Sequence, residues 1–464
     1  MLLRKIILSE TWFKAAAGAA FVQQLLVAGG TFLLGELTTR LPSEGVLWPQ
    51  AFLMLGCMAL SGSLAFFVLQ LFSLRAQRAS LKNFLERYFQ NTFNQPLFWR
   101  SADERTRRHD MMCREAQEAI QEGNAFFLDL WTTGWNIALN TAAVVLVIGL
   151  ESGAVILATG IVSSLLVHFA SQRLSQHALD EIEDQNQLNG HLSSSWDNLT
   201  LGNKLSFGLW QMGFNTLFQR ASSSAERSLS AREKLLATGS FLTTTAVVAS
   251  VLVQAWLNQN NITAVIALFA MLPRTLQINM HVQIVHSYWA GWQRLRERLI
   301  AASHCVTPFP EAAPLELMQH EKIQIIEKSN SKHWKTDELI KNITTLNCGR
   351  LTIRGANGAG KSVLLSLLKS NMAEKAFYLP AQHDLELPGV HAGLSHGEKV
   401  VAAINALAAA QNDARVLLLD EWDANLSPEN RRILNARLDT LAQNKVVIEV
   451  RHNHEALALV HSHA

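Results

Sequence analysis

The run Gly355-Ala356-Asn357-Gly358-Ala359-Gly360-Lys361-Ser362 is a complete G-x-x-x-x-G-K-S. A strand-like stretch, 350–354, precedes it. Val363 opens an apolar helical stretch that follows. Strand, glycine loop and helix in that order can cradle phosphate: the glycines let successive backbone N–H groups turn toward one point, and a helix N-terminus adds partial positive charge. Lys361 would reach the terminal phosphates and Ser362 would offer its hydroxyl to Mg²⁺. A second strand-like run, 416–419, ends in Asp420-Glu421. An acidic pair at the end of a buried strand needs a cation nearby, and beside a phosphate loop that cation is Mg²⁺. Asp420 would hold it and Glu421 would polarise an attacking water.

These residues lie near the end of a chain of 464 residues, enough for two or three domains. The chain is 49% hydrophobic and only 17% charged, with mean hydropathy +0.11. A typical soluble protein carries about 25% charge. That excludes a disordered chain and disfavours a simple soluble enzyme. The net charge of +2 gives no sign of a nucleic-acid partner. The cysteines Cys57, Cys113, Cys305 and Cys348 have neither metal-ligand nor disulfide-framework spacing.

The apolar residues gather in the first part of the chain. Six stretches are long enough to cross a bilayer, at 14–37, 51–74, 125–150, 153–171, 237–257 and 263–289. Residues 1–8 read as an interfacial helix. The links within the pairs are short, whereas 77–122 and 173–234 are long, polar, helix-prone and basic. Arg78, Lys82, Arg87, Arg100, Arg105, Arg107, Arg108 and Arg114 lie in the first, and Lys204, Arg220, Arg227, Arg232 and Lys234 in the second. The positive-inside rule puts both segments and both termini in the cytoplasm. Each segment is expected to descend and return as a helical pair, turning near 94–96 in the first and near Gly190 or 203–208 in the second. A proline-rich linker at 307–314 divides a membrane domain, 1–305, from a nucleotide domain, 306–464.

Between the phosphate loop and the acidic strand lies Leu394-Ser395-His396-Gly397-Glu398. In that place it resembles the signature run of ATP-binding cassette (ABC) proteins. His452, after the strand 446–450, stands where that family has a histidine on the γ-phosphate. Phe377-Tyr378-Leu379-Pro380 is followed by Ala381 and then Gln382, which resembles the family's metal-contacting glutamine at an offset of one residue. Six spans followed by such a cassette look like an ABC exporter half-transporter. The run from Asp420-Glu421-Trp422 to Ser427-Pro428 is similar to that of bacterial cyclic-peptide and siderophore-peptide exporters.

The resemblance implies a multi-pass protein of the bacterial inner membrane whose α/β P-loop domain lies in the cytoplasm. It implies ATP and Mg²⁺ as cofactors and a second half-transporter as partner, a homodimer in preference to a heterodimer. Ser395, His396, Gly397 and Glu398 would face the nucleotide on the opposing subunit. Glu421 and His452 would act in hydrolysis, and Ser362, Gln382 and Asp420 would attend the metal. The chain departs from the pattern in three ways. The stretch 384–392 is too short for the usual helical subdomain, His396 replaces a glycine, and Ser427 replaces an aspartate. Trp334 is the aromatic available before the phosphate loop to stack on adenine.

The sixth predicted span carries Arg274, Gln277, Asn279, His281, Gln283 and His286. Polar residues within a span face protein or water. Arg274, Gln277 and His281 are therefore expected to line a cavity, with Gln23, Gln24, Asp129, Asn136 and Asn140 contributing. Such a cavity suits a peptide-like or otherwise amphipathic cargo. The other class of function open to the chain is a membrane-bound ATP-binding regulator or assembly factor that moves no cargo.

Overall fold

A computed structural model describes residues 2–44, 48–101, 104–113, 115–201, 203–309, 318–329, 331–381, 383, 385–389, 394–409, 414–424 and 426–451. The chain forms two compact units. The first comprises Met1–Tyr88 and Arg107–Thr307, and the second Phe89–Thr106 and Pro308–Ala464. The later division between the units falls at 307/308, and the short stretch Phe89–Thr106 groups with the second unit.

The first unit is helical. Its elements are α1 (Leu2–Ser9), α2 (Thr11–Glu44), α3 (Trp48–Thr92, whose last turn enters the second unit), α4 (Glu115–Ile148), α5 (Leu150–Ser193), α6 (Lys204–Leu257) and α7 (Ile262–His304). Long apolar or helix-prone runs make them, with Pro273 carried inside α7, and local signals end them. Gly149, at φ 92°, separates α4 from α5. Asn203 caps α6 through a capping box with Ser206, and Asn261 caps α7.

Five of these helices, among the described residues, are long and apolar enough to cross a membrane: Thr11–Thr38, Pro49–Thr92, Glu115–Ile148, Lys204–Leu257 and Ile262–Trp289. The predicted fourth span, 153–171, lies on α5; Gly153–Leu165 is an apolar helical stretch there, and the side chains at 166–168 lie outside the described residues. The helices do continue well past their apolar parts, as expected. Helix α3 ends at Thr92, and Asn94 adopts φ 56° at the expected first turn. The second turn falls at the short helix Ser195–Thr200 and ends at the Asn203 cap. Gly190 and Gly208 both lie inside helices.

The main core of this unit sits where α1 meets α2, α3, α4 and α7. It contains Ile6, Ile7, Phe13, Phe84, Ile120, Leu295 and Leu299. Burying these large side chains stabilises the meeting point of the helices by about 25 cal/mol per Å² of apolar surface removed from solvent. Elsewhere the helices expose Phe52, Leu60, Leu64, Phe67, Phe169 and Phe241. On long apolar helices, such faces suit a hydrocarbon environment.

The second unit is a six-stranded mixed sheet. Its strands are β1 (Ile323–Glu327), β2 (His333–Trp334), β3 (Gly349–Gly355), β4 (Ala376–Leu379), β5 (Val416–Asp420) and β6 (Val446–Val450), in the order β2-β1-β3-β6-β5-β4. Strands β3, β6, β5 and β4 are parallel, and β1 and β2 are antiparallel additions at one edge. Helices α8 (Thr336–Asn342), α9 (Lys361–Met372), α10 (His396–Ala409) and α11 (Pro428–Leu441) complete it. Strands β5 and β6 are buried at every position, as continuous apolar runs in a covered parallel sheet should be. Two cores flank the sheet: Ile325, Ile353, Leu364, Leu368 and Leu418 on one side, and Ile404, Leu417, Leu419, Trp422 and Leu434 on the other.

Candidate functional site

Open parallel sheets present ligands at the carboxyl ends of their strands. Here those ends carry the motif residues. Strand β3 leads at Gly355 into the glycine loop, and α9 starts at Lys361. A Cβ at Gly355 would come within 2.6 Å of the Lys322 carbonyl, so only glycine fits. Gly358 and Gly360 have φ of 81° and 94°, left-handed values that let the loop curl back on itself. Ala356 and Asn357 are exposed on the loop and Ala359 is buried beneath it. The Lys361 ammonium donates to the carbonyls of Gly355 (2.9 Å) and Ala356 (3.1 Å), so it lies across the loop it would serve. Ser362 and Val363 are in the first turn of α9.

Asp420 ends β5, level with Val450 on β6, which in turn pairs with Ile353 of β3. The sheet thus sets Asp420 two strands from the loop, on the same edge. Its side chain is fully buried. Oδ2 accepts from the Tyr378 hydroxyl (3.2 Å) and from Arg100 Nη2 (2.9 Å), while Oδ1 is buried with no hydrogen-bond partner among the described residues. Burial first, and then the Asp420 charge, pushes the Tyr378 hydroxyl well up, so it stays protonated and donates. An orphaned carboxylate oxygen beside a phosphate loop fits a divalent cation, and Asp420 with Ser362 would supply the protein's share of its ligands. Among the described residues no group of three or more His, Cys, Asp or Glu side chains forms a cation site by itself.

Glu421 has φ 47°, a conformation that costs an L-residue energy and clusters at functional positions. Its N–H donates to Val450 O at 2.9 Å, which fixes the turn to the end of β6. Below that turn lies a polar network that the sequence reading missed. Glu449, buried in β6, accepts from Arg350 Nε (3.1 Å) and Nη2 (2.8 Å), from the Trp422 indole (3.0 Å) and from Arg451 (2.9 Å). Burial opposes the Glu449 charge, but Arg350 and then Arg451 outweigh it and hold the carboxyl below its ordinary value. A lone acid inside the apolar run Val446–Val450 was the available signal. Ser427 caps α11 by accepting from Asn430 N at 3.2 Å.

Ser395 stands just before α10, which opens at His396 and Gly397. Its N–H and hydroxyl donate to Glu398 Oε2, at 2.8 and 2.7 Å, and the Glu398 N–H returns a bond of 3.4 Å to Ser395 Oγ. This is a capping box. The Ser395 hydroxyl, and then its N–H, hold the exposed Glu398 carboxyl below its ordinary value. Two residues of the signature-like run thus have a local structural role. Trp334 lies on β2, under the Lys332 ammonium at 3.7 Å and bonded to Glu327 at 3.3 Å. Gln382 and His452 lie outside the described residues, as does the side chain of His396.

In the first unit, Arg274 and Gln277 come together, hydrogen-bonded to each other. Arg274 Nε also donates to Asn140 Oδ1 (3.1 Å), which accepts from Thr31 (3.0 Å). Asn136 donates to Gln24 at 2.6 Å. His281 is not part of this chain of bonds, and its Nδ1 is buried without a partner among the described residues. A void of about 470 Å³ between α2 and α3 is lined by Gln23, Val27, Gly30, Met58, Gly62 and Ser63, with neither Arg274 nor His281 in its wall.

Five long apolar helices followed by a small mixed α/β sheet domain is the architecture the chain has. No family model matches the chain, and no curated protein matches it significantly.

Proposed function

We propose that the chain is a membrane-embedded ATPase of the ABC exporter type: a half-transporter that works as a dimer in the bacterial inner membrane, with its sheet domain in the cytoplasm, on a peptide-like or otherwise amphipathic cargo. The observation that carries this reading is the pairing of a complete phosphate loop at the end of β3 with a buried, half-satisfied Asp420 at the end of β5. Five apolar helices support the membrane part, and the sixth crossing, on α5, belongs to the proposal.

In this reading the loop N–H groups from Gly355 to Ser362 hold phosphate oxygens, and Lys361 leaves its carbonyl partners to pair with them. Asp420 and Ser362 would hold Mg²⁺, which when bound would supply neutralisation of phosphate charge. Glu421 would accept the proton of the water that attacks the γ-phosphoryl as its bond to the departing ADP breaks. One chain has one phosphate loop and one signature-like run, so two copies, or this chain and a related half-transporter, complete two sites.

Binding of a fluorescent ATP analogue to the full chain in lipid nanodiscs tests the reading. Lys361→Ala is expected to weaken binding at least about tenfold, because a phosphate charge goes unpaired. Equal binding by both proteins would remove the phosphate-loop assignment.

The Ser395–Glu398 capping box favours a second reading, in which the chain binds ATP as a regulator or assembly factor without transport. A cysteine pair at positions 395 and 357 separates the two. Cross-linking between chains that rises with ATP in a Glu421→Gln background belongs to the exporter, and its absence in a protein that binds ATP belongs to the regulator.

A further inference from the structure

The segment 94–101 reaches the candidate site from the turn after α3. Asn94, at φ 56°, ends the helical course, and Pro96–Phe98 forms one turn of 3₁₀ helix that packs on α9. Phe98 stacks on Phe309 with ring centres 4.6 Å apart, and Trp99 sets its ring edge-on to Tyr378 at 6.4 Å. These aromatic contacts present Arg100, which bonds Asp420 Oδ2 through a single nitrogen at 2.9 Å. Its guanidinium carbon also lies 5.7 Å from the Trp99 ring centre. The Arg100 side chain is half exposed, whereas that of Asp420 is fully buried.

A buried carboxylate needs a compensating positive charge. We propose that Arg100 is the resident counter-ion of Asp420, and that the turn carrying it and a nucleotide-bound divalent cation oppose each other at that carboxylate. The geometry gives the reason. Both are cations, and both are drawn to one carboxylate whose second oxygen is free for a ligand. A divalent ion on Oδ1 would face the guanidinium across the width of one carboxylate group, where like charges in a water-poor site repel strongly. The bond is single and half-exposed instead of a bidentate fork, so it can be given up. Linkage makes the opposition mutual: the docked turn weakens metal binding by the factor by which metal weakens docking of the turn. Because the turn continues from α3, metal-nucleotide occupancy would thereby be registered at the end of a long apolar helix. The proposal rests on the nucleotide-binding reading above and adds a regulation to the same site.

The test uses the full chain in nanodiscs, a non-hydrolysable ATP analogue, and Mn²⁺ as the metal probe, with free Mn²⁺ read by electron paramagnetic resonance. Arg100→Gln is expected to bind Mn²⁺ with the analogue about five- to tenfold more tightly than wild type, a usual size for coupling between two sites. Arg100→Lys, which keeps the charge, should stay within about twofold. Affinity for the analogue in EDTA should be unchanged in Arg100→Gln. As a second readout, tryptic cleavage after Arg100 in wild type, mapped by mass spectrometry, should quicken when Mn²⁺ joins the analogue. Unchanged or weakened Mn²⁺ binding in Arg100→Gln, with analogue binding intact, overturns the proposal and leaves the nucleotide reading standing. A wild-type chain that binds no analogue overturns both.

Discussion

The indole N–H of Trp422 donates to the buried carboxylate of Glu449 at 3.0 Å, which joins the residue after Asp420-Glu421 to the middle of the neighbouring strand. Arg350 grips the same carboxylate from β3 with two nitrogens. The three parallel strands that end at the candidate site are therefore tied together one level below it. The turn that carries Glu421 rests on that tie through Trp422.

Trp422→Phe removes the donor and part of a buried ring. We expect a loss of about 2 kcal/mol in the stability of the sheet unit, from a lost hydrogen bond to a charged group together with imperfect refilling of the space. Urea unfolding of the full chain, followed by hydrogen exchange of β5 and β6 peptides, measures it. A change below about 0.5 kcal/mol would mean that the tie is idle.

Glu449 gives the sheet unit an acid sensitivity. Its folded carboxyl lies below the ordinary value, so its contribution is present above the unfolded value of about 4.3 and is lost as pH falls through the folded value. Glu449→Gln should lower stability at pH 7 by about 3 kcal/mol, since Arg350 is left buried without its main partner. It should also flatten the decline in stability below about pH 5. Unfolding curves at several pH values check both, and parallel declines for the two proteins would exclude Glu449 as the source.

Glu421 divides stability from chemistry. At φ 47° a glycine is easier to accommodate than glutamate, so Glu421→Gly should be as stable as wild type or gain about 0.5–1 kcal/mol, while turnover disappears. Glu421→Gln should keep ATP and also stop turnover. Phosphate release and thermal unfolding on the same samples report the two effects. Hydrolysis by Glu421→Gln at the wild-type rate would remove its assignment as base.

The capping box makes a separable claim about Ser395. Ser395→Ala should destabilise the start of α10 by about 1 kcal/mol, and Ser395→Asp should restore most of it, because aspartate also caps. If Ser395 serves only as a cap, ATP turnover recovers in the aspartate variant. If it meets the opposing nucleotide, turnover stays low, since a carboxylate there repels phosphate.

Membrane orientation rests on charge asymmetry. Single cysteines at 107 and 227, in a cysteine-free background, should be shielded from an impermeant reagent outside intact cells, and those at 42 and 260 should react. Reaction at 107 but not at 42 would invert the arrangement.

The strand, glycine loop and helix at 349–372 and the acidic end of β5 were legible because each run carries its own context: strand, glycines and helix in one case, four apolar residues and two acids in the other. The long helices were legible from hydropathy: five of the predicted spans fall on helices that, among the described residues, are long and apolar enough to cross a membrane. What stayed hidden depends on residues distant in sequence. Nothing near Arg100 marks it as a partner of Asp420, and Tyr378 read as part of an apolar strand. Glu449 was the exception that deserved suspicion, a charge within a run otherwise of valine and isoleucine. The division of the chain was likewise blurred because Phe89–Thr106 reads as part of the polar segment after the second span.

That division sets an order of events during synthesis. The sheet is completed only at β6, Val446–Val450, yet the unit includes Phe89–Thr106, with Arg100 and Asp420 separated by 320 positions. Local contacts form early, and such distant ones must await the rest of the polypeptide. Phe98, Trp99 and Arg100 therefore leave the ribosome long before the surface that receives them exists. Docking of this turn waits on strands made more than three hundred positions later and belongs to the late contacts of the unit.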